Sequence, residues 1–134
     1  MEILDALILG FTTALTPMNI LFCFIGVFTG TVIGVLPGLG PTATMSLLIP
    51  VTFQMDTTGA LIMLAGIYYG AMYGGSITSI LVNIPGEAAT VITCIDGHQM
   101  AKKGRAGPAL GISAFGSLFA GCATVLGIVL IGPL

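Results

Sequence analysis

The chain has 134 residues, of which 56% are hydrophobic and 6% charged, with a net charge of −2 and a mean hydropathy of +1.13. Soluble domains carry about 25% charged residues, so this composition excludes an ordinary water-soluble fold, and three basic residues confined to one short loop exclude a nucleic-acid-binding face. No charge falls between Asp5 and Asp56, between Asp56 and Glu87, or after Arg105, and each gap can hold a membrane span of roughly 20 apolar residues.

The amino-terminal stretch carries Glu2 and Asp5 but no Lys or Arg. It lacks the basic region of a cleaved secretory signal, so an apolar lead-in segment over 6–16 is expected to be retained. The uncharged run 6–55 is too long for one helix across a ~30 Å hydrocarbon core at 1.5 Å per residue. Pro17, Pro37, Pro41 and Pro50 mark its breaks, because proline removes a backbone donor and disfavours helix in the residue before it. These breaks predict a span over 18–36 and a short helix over 42–49, laid out as a half-helix entering the membrane from one side. A second span is predicted over 57–73, interrupted at Gly74-Gly75 and followed by a short helix over 76–84. Asn83-Ile84-Pro85-Gly86-Glu87 breaks the chain again, and a short helix over 88–95 is expected to stop at the turn dipeptide Asp96-Gly97. The polar loop 97–107 carries Lys102, Lys103 and Arg105 and is assigned to the cytoplasm by the positive-inside tendency. The apolar run 108–134 then crosses outward, and its end reads as a truncation. The predicted fold is all-α: a single membrane-embedded domain, a polytopic transmembrane helix bundle with broken or re-entrant half-helices. Orientation upstream of residue 96 stays open, since no basic residue flanks the first spans.

Gly66, Gly70 and Gly74 recur every four residues and form a small-residue stripe that admits another backbone; Ser113, Ser117 and Gly121 do the same on the last span. Both stripes predict tight helix packing. Cys23, Cys94 and Cys122 are odd in number, lie in apolar runs and show no CxxC spacing, so they read as small buried hydrophobes, with no metal ligand set and no cofactor.

A sharper feature is a sequence echo. Leu36-Pro37-Gly38-Leu39-Gly40-Pro41-Thr42 and Ile84-Pro85-Gly86-Glu87-Ala88-Ala89-Thr90 share an apolar residue, Pro-Gly, and Thr four positions after the glycine. Each Pro-Gly break precedes a short helical piece. A helix amino terminus exposes unpaired N–H groups and about half a positive charge, which favours an anion without any Arg. Discontinuous helices that hold a carboxylate in this way and a cation at a carbonyl end recur in secondary transporters. Thr42, Thr44 and Ser46 follow the first break; Ser76, Thr78, Ser79 and Asn83 follow Gly74-Gly75. Their competing role is to cap helices or bond back to the preceding turn. Glu87 is the one carboxylate in an apolar neighbourhood and a functional candidate on that ground. Asp56 and Asp96 read as interfacial or turn residues, Tyr69 and Tyr73 as packing or interface anchors, and His98 as a solvated histidine.

The ordered motifs Gly34-Val35-Leu36-Pro37-Gly38-Leu39-Gly40-Pro41-Thr42, Leu64-Ala65-Gly66-Ile67-Tyr68-Tyr69-Gly70-Ala71-Met72-Tyr73-Gly74-Gly75-Ser76, Asn83-Ile84-Pro85-Gly86-Glu87, Asp96-Gly97 and Gly104-Arg105-Ala106-Gly107-Pro108-Ala109-Leu110 resemble the TctA family. That family is the large permease subunit of the tripartite tricarboxylate transporters. The resemblance covers nearly the whole chain. It implies a cation-coupled symporter of the bacterial inner membrane that imports citrate or related carboxylates. It also implies a periplasmic solute-binding protein and a small membrane subunit of TctB type as partners, with Na⁺ or H⁺ as the coupling cation. Family permeases are longer, with a second half bearing a related Pro-Gly motif, so the chain corresponds to an amino-terminal part. Carried over by position, Pro37, Gly38, Gly40, Pro41 and Thr42, then Gly74, Gly75, Ser76 and Thr78, then Asn83, Pro85, Gly86 and Glu87 form the expected substrate- or ion-binding region.

An intramembrane protease would need a buried Ser–His or Asp–Asp pair, and the flanking positions of His98, Asp56 and Asp96 offer none. No catalytic residue is assigned. A channel or a non-transporting membrane scaffold is the remaining alternative, since broken helices also build pores.

Overall fold

The computed structural model describes residues 2–131, so the last three residues of the predicted final span, 132–134, lie outside the described residues. Six α-helices follow one another: α1 (Glu2–Ala14), α2 (Pro17–Gly34), α3 (Pro41–Leu48), α4 (Thr57–Val82), α5 (Val91–Lys102) and α6 (Ala106–Ile131). Short 3₁₀ turns occupy Ile49–Gln54 and Ala88–Thr90. Among the described residues, three helices are long and apolar enough to cross a bilayer: α2, α4 and α6. The bundle turns its large apolar side chains outward, Phe24, Phe28, Phe115 and Phe119 among them, the last 82% exposed. A water-soluble protein rarely tolerates such a surface, whereas hydrocarbon covers it without penalty.

The centre of the bundle is a backbone-to-backbone seam. On α2, Gly26, Gly30 and Gly34 are buried, and a Cβ on each would overlap the backbone of Met63, Ile67 and Ala71 of α4, respectively. On α4, Gly66 and Gly74 face α2 in return, where a Cβ would lie 2.8 Å from the Cys23 carbonyl oxygen and 2.5 Å from that of Thr31; Gly70 does the same at Val27. Two glycine stripes therefore interlock, and the stripe on α2 is one that the sequence reading passed over although its four-residue spacing was visible. Lipid chains are as apolar as leucine, so close van der Waals approach is what joins such helices. Ile67, fully buried, fills the gap beside the seam.

Register along the seam fixes topology. Residue numbers rise together on both helices, from Gly26 beside Met63 to Gly34 beside Ala71, so α2 and α4 are parallel. The segment 35–56 must therefore return the whole way between them. α3 and the 3₁₀ turn after it supply this return, about 12 Å each at ~1.5 and ~2.0 Å per residue. The expected half-helix over 42–49 is thus the first part of a broken crossing rather than an entry from one side. Asp56 restarts the chain as N-cap of α4, its carboxylate accepting the Gly59 amide at 3.0 Å.

Three further expectations are corrected. α4 runs unbroken through Gly74-Gly75, because both glycines are buried against neighbouring backbone and that packing outweighs their poor helix propensity. α5 continues through Asp96-Gly97, where the missing side chain of Gly97 makes room for Ile80 of α4. The chain instead stops at Gly104, with φ +74°, whose amide bonds to the Ala101 carbonyl while the Arg105 amide bonds to that of Met100. This paired arrangement is the Schellman helix stop, so the loop expected over 97–107 shrinks to a tight turn that folds α6 back along α5.

Among the described residues the small-residue stripe on α6 is packed only at its start: Ser113 is half-buried near buried Ala109, whereas Ser117 is exposed and a Cβ on Gly121 would find open space. The cysteines are corrected too. Cys23 and Cys122 are exposed on the outward faces of α2 and α6, and Cys94 is partly covered.

Candidate functional site

Both Pro-Gly breaks end at the same place. After α4 the chain turns at Asn83, which adopts the left-handed conformation (φ 63°) that asparagine tolerates, and dips back into the bundle. Gly86 then lies against Gly75 so closely that a Cβ on Gly86 would overlap the Gly75 backbone. Gly75 sits seven residues before the end of α4, about 10 Å inside it by helical rise. From the other break, Gly40 approaches Glu87, a Cβ on the glycine falling 3.9 Å from the Glu87 Cβ. Gly40 is the N-cap of α3, no side chain caps that helix, and buried Pro41 is its first residue. Pro41 has no N–H and the Thr44 amide bonds to the Gly40 carbonyl, so the unpaired amides at the start of α3 are those of Thr42 and Ala43, two exposed residues that follow the approach of Gly40 to Glu87.

Thr78 ties the arrangement together. Its hydroxyl donates to the carbonyl of Val35 at 2.7 Å, with the Gly74 carbonyl at 3.2 Å as the alternative acceptor. Val35 lies just past the end of α2, where carbonyls have no helical partner. Replacing Thr78 with valine, which keeps the shape and removes the donor, is expected to destabilise the protein by about 1–3 kcal/mol through the orphaned carbonyl. The thermal midpoint of the purified full-length protein in detergent checks this, and Thr78→Ser should restore it.

Other hydroxyls are spent locally. Ser76 bonds back to Met72, Ser79 to Gly75, Thr44 to Gly40 and Ser46 to Thr42. Thr42, Pro37, Gly38 and Pro85 are exposed, and Gly38 takes φ +84°, the turn that directs the chain from α2 into α3. Thus Gly75 meets Gly86 and Gly40 meets Glu87, Gly74 and Thr78 join the end of α2 at Val35, Asn83 serves as a helix stop and Ser76 makes an internal bond.

Glu87 and Thr90 form a reciprocal capping box, the side chain of each facing the backbone amide of the other, with the Thr90 hydroxyl accepting the Glu87 amide at 3.2 Å. The Thr90 amide is also taken by the Glu87 backbone carbonyl at 3.1 Å. Oε1 of Glu87 is left buried with no hydrogen-bond partner.

Two features escaped the sequence reading. His98, expected in solvent, is partly buried with Nδ1 2.9 Å from the Ile80 carbonyl oxygen. A carbonyl only accepts, so Nδ1 carries the hydrogen, and this bond satisfies one of the last carbonyls of α4. A cavity of about 290 Å³ also lies between α4, α5 and α6, apolar at Ile80, Ile92, Met100 and Ile112, with Asp96, Thr93 and Ser113 on its wall. No sequence signal marked it, since its lining comes from three helices at unrelated spacings.

Residues 20–134 match the model of the tripartite tricarboxylate transporter TctA family. The chain is 57% identical over 133 residues to an uncharacterized 52.8 kDa protein in the TAR-I ttuC' 3' region of Agrobacterium vitis. That alignment covers 99% of this chain and 26% of the relative, so the chain spans about a quarter of the length of the relative it matches. No solved structure matches it.

Proposed function

Since this chain belongs to the tripartite tricarboxylate transporter TctA family, we propose that it forms one wall of the substrate site in the membrane permease of a binding-protein-dependent, cation-coupled importer of citrate or related carboxylates. The observation that carries this reading is the meeting of the two Pro-Gly breaks about 10 Å inside the end of α4, with the uncapped amino terminus of α3 opening there. Free amides and a helix dipole at that depth favour a carboxylate and provide directional donors without a buried Arg. Non-helical backbone at this depth is tolerated where protein or a watery cavity surrounds it. With the basic turn at Lys102–Arg105 on the cytoplasmic side, the site lies nearer the cytoplasm, and α2 and α4 both run inward. The partners are a periplasmic solute-binding protein and a small membrane subunit of TctB type, in the bacterial inner membrane.

Radiolabelled citrate uptake into cells carrying the full-length gene, with and without its binding protein, tests the reading. Saturable uptake that requires the binding protein and an ion gradient is the expected result. Passive, non-saturating flux would replace it with a channel, and absence of flux for citrate and other carboxylates would reduce it to a scaffold.

A further inference from the structure

We propose that Tyr68 and Tyr69, at the middle of α4, form the mid-membrane contact for a carboxylate group of the substrate; this rests on the permease reading above. α4 is 26 residues long, so it extends about 39 Å at 1.5 Å per residue, and the two tyrosines lie roughly 17–21 Å from its ends, at the level of the bilayer midplane. Tyrosine is ordinarily found at the membrane–water interface, where its hydroxyl is wet. Here the placement is inverted. The chain has three tyrosines, Tyr68, Tyr69 and Tyr73, all in the central part of α4, whereas none of its seven phenylalanines lies on that helix.

Neither member of the pair is packed away: Tyr69 is 61% exposed and Tyr68 36%. The exposed aromatic side chains of α2 and α6, Phe24, Phe28, Phe115 and Phe119, carry no hydroxyl and suit hydrocarbon. A phenol hydroxyl held in hydrocarbon without a hydrogen bond is costly, so the tyrosine face of α4 is built for water and a polar ligand.

Position along the helix connects the pair to the meeting of the two Pro-Gly breaks. Tyr68 and Gly75 are seven residues apart and share one face of α4, about 10 Å from each other along its axis. Gly86 lies on Gly75, and Glu87, next in the chain, approaches Gly40. The rings of Tyr68 and Tyr69 meet edge to face, with centroids 5.8 Å apart and planes at 86°, a favoured geometry that steadies both rings. A carboxylate moving inward to the breaks along this face passes the pair two turns earlier. Each phenol O–H donates to a carboxylate oxygen and brings no charge, so the pair holds an anion at the midplane without the cost of burying a cation.

Ala65, exposed and one turn before the pair on the same face, offers a reporter position that leaves both tyrosines in place. In the full-length permease with its small subunit and binding protein, every native cysteine, Cys23, Cys94 and Cys122 included, is replaced by serine and Ala65→Cys is introduced. The new thiol should react with a membrane-impermeant maleimide added from outside, and citrate with its binding protein should slow the reaction severalfold. Tyr68→Phe and Tyr69→Phe keep the rings and their edge-to-face contact and remove only the donors. Each should lower the initial rate of uptake, at saturating citrate-loaded binding protein, about tenfold, whereas a purely structural role predicts no change. An unreactive thiol in a permease that takes up citrate would place this face against lipid or protein and overturn the assignment, as would wild-type rates in both phenylalanine variants; either result leaves the permease reading standing. A wild type that transports neither citrate nor other carboxylates overturns both.

Discussion

Replacing Gly30 with leucine is expected to abolish accumulation of folded full-length protein. At this position a side chain would meet the backbone of Ile67 on the parallel helix α4. Overpacking in an ordinary core costs about 1–3 kcal/mol because neighbouring side chains can shift. Here the obstacle is main chain held in a helix, so relief requires parting α2 from α4 along the seam formed by Gly26, Gly30 and Gly34 with Gly66, Gly70 and Gly74. Loss on that scale consumes most of a typical stability of about 5–15 kcal/mol. Gly70→Leu should behave identically from the opposite side, where a Cβ would meet the Val27 backbone. Size-exclusion profiles of fluorescent full-length fusions check both variants; a monodisperse Gly30→Leu peak of normal height would refute the seam as the organising contact.

The second large effect falls on function. Gly86→Ala is expected to reduce citrate uptake at least about tenfold, ~1.4 kcal/mol, with the protein still inserted, because even one methyl group pushes the Pro85-Gly86-Glu87 segment off Gly75. Gly38 provides the contrast. A Cβ there meets nothing, and the difficulty is its φ of +84° alone. Alanine at Gly38 should therefore cost about 1 kcal/mol in stability and leave most uptake, whereas a β-branched valine should abolish it through strain. Uptake normalised to membrane-inserted protein makes the comparison, and wild-type transport by Gly86→Ala would count against the meeting of the two breaks as the site.

The positions of the breaks were legible in the sequence because proline acts locally: Pro17, Pro37, Pro41, Pro50 and Pro85 all lie at or beside helix boundaries. Glycine was less legible, because its meaning depends on what packs against it. Gly74-Gly75 looked like a break and is a contact surface inside α4; Asp96-Gly97 looked like a stop and is a notch for Ile80; Gly104 does stop a helix. The parallel course of α2 and α4 was hidden for a similar reason, since direction across a membrane follows from which glycines meet and the basic residues all lie after residue 96. The candidate site was legible as a set of motifs through their echo, but not as a geometry. That Glu87 neighbours Gly40, and that Thr78 reaches Val35 from 43 positions away, are facts of folding with no local signature.

The interlocked glycines also constrain how this protein can change over evolution. In a core built of side chains, a residue that grows on one helix is accommodated when its partner shrinks. Along this seam the partner of each glycine is a peptide group, which every residue type has in the same size. No substitution on α4 makes room for a larger residue at Gly30, and none on α2 makes room at Gly70. Second-site suppressors of seam substitutions should therefore not arise across the contact, and the two stripes must be inherited together as glycine or lost together with the helix pair.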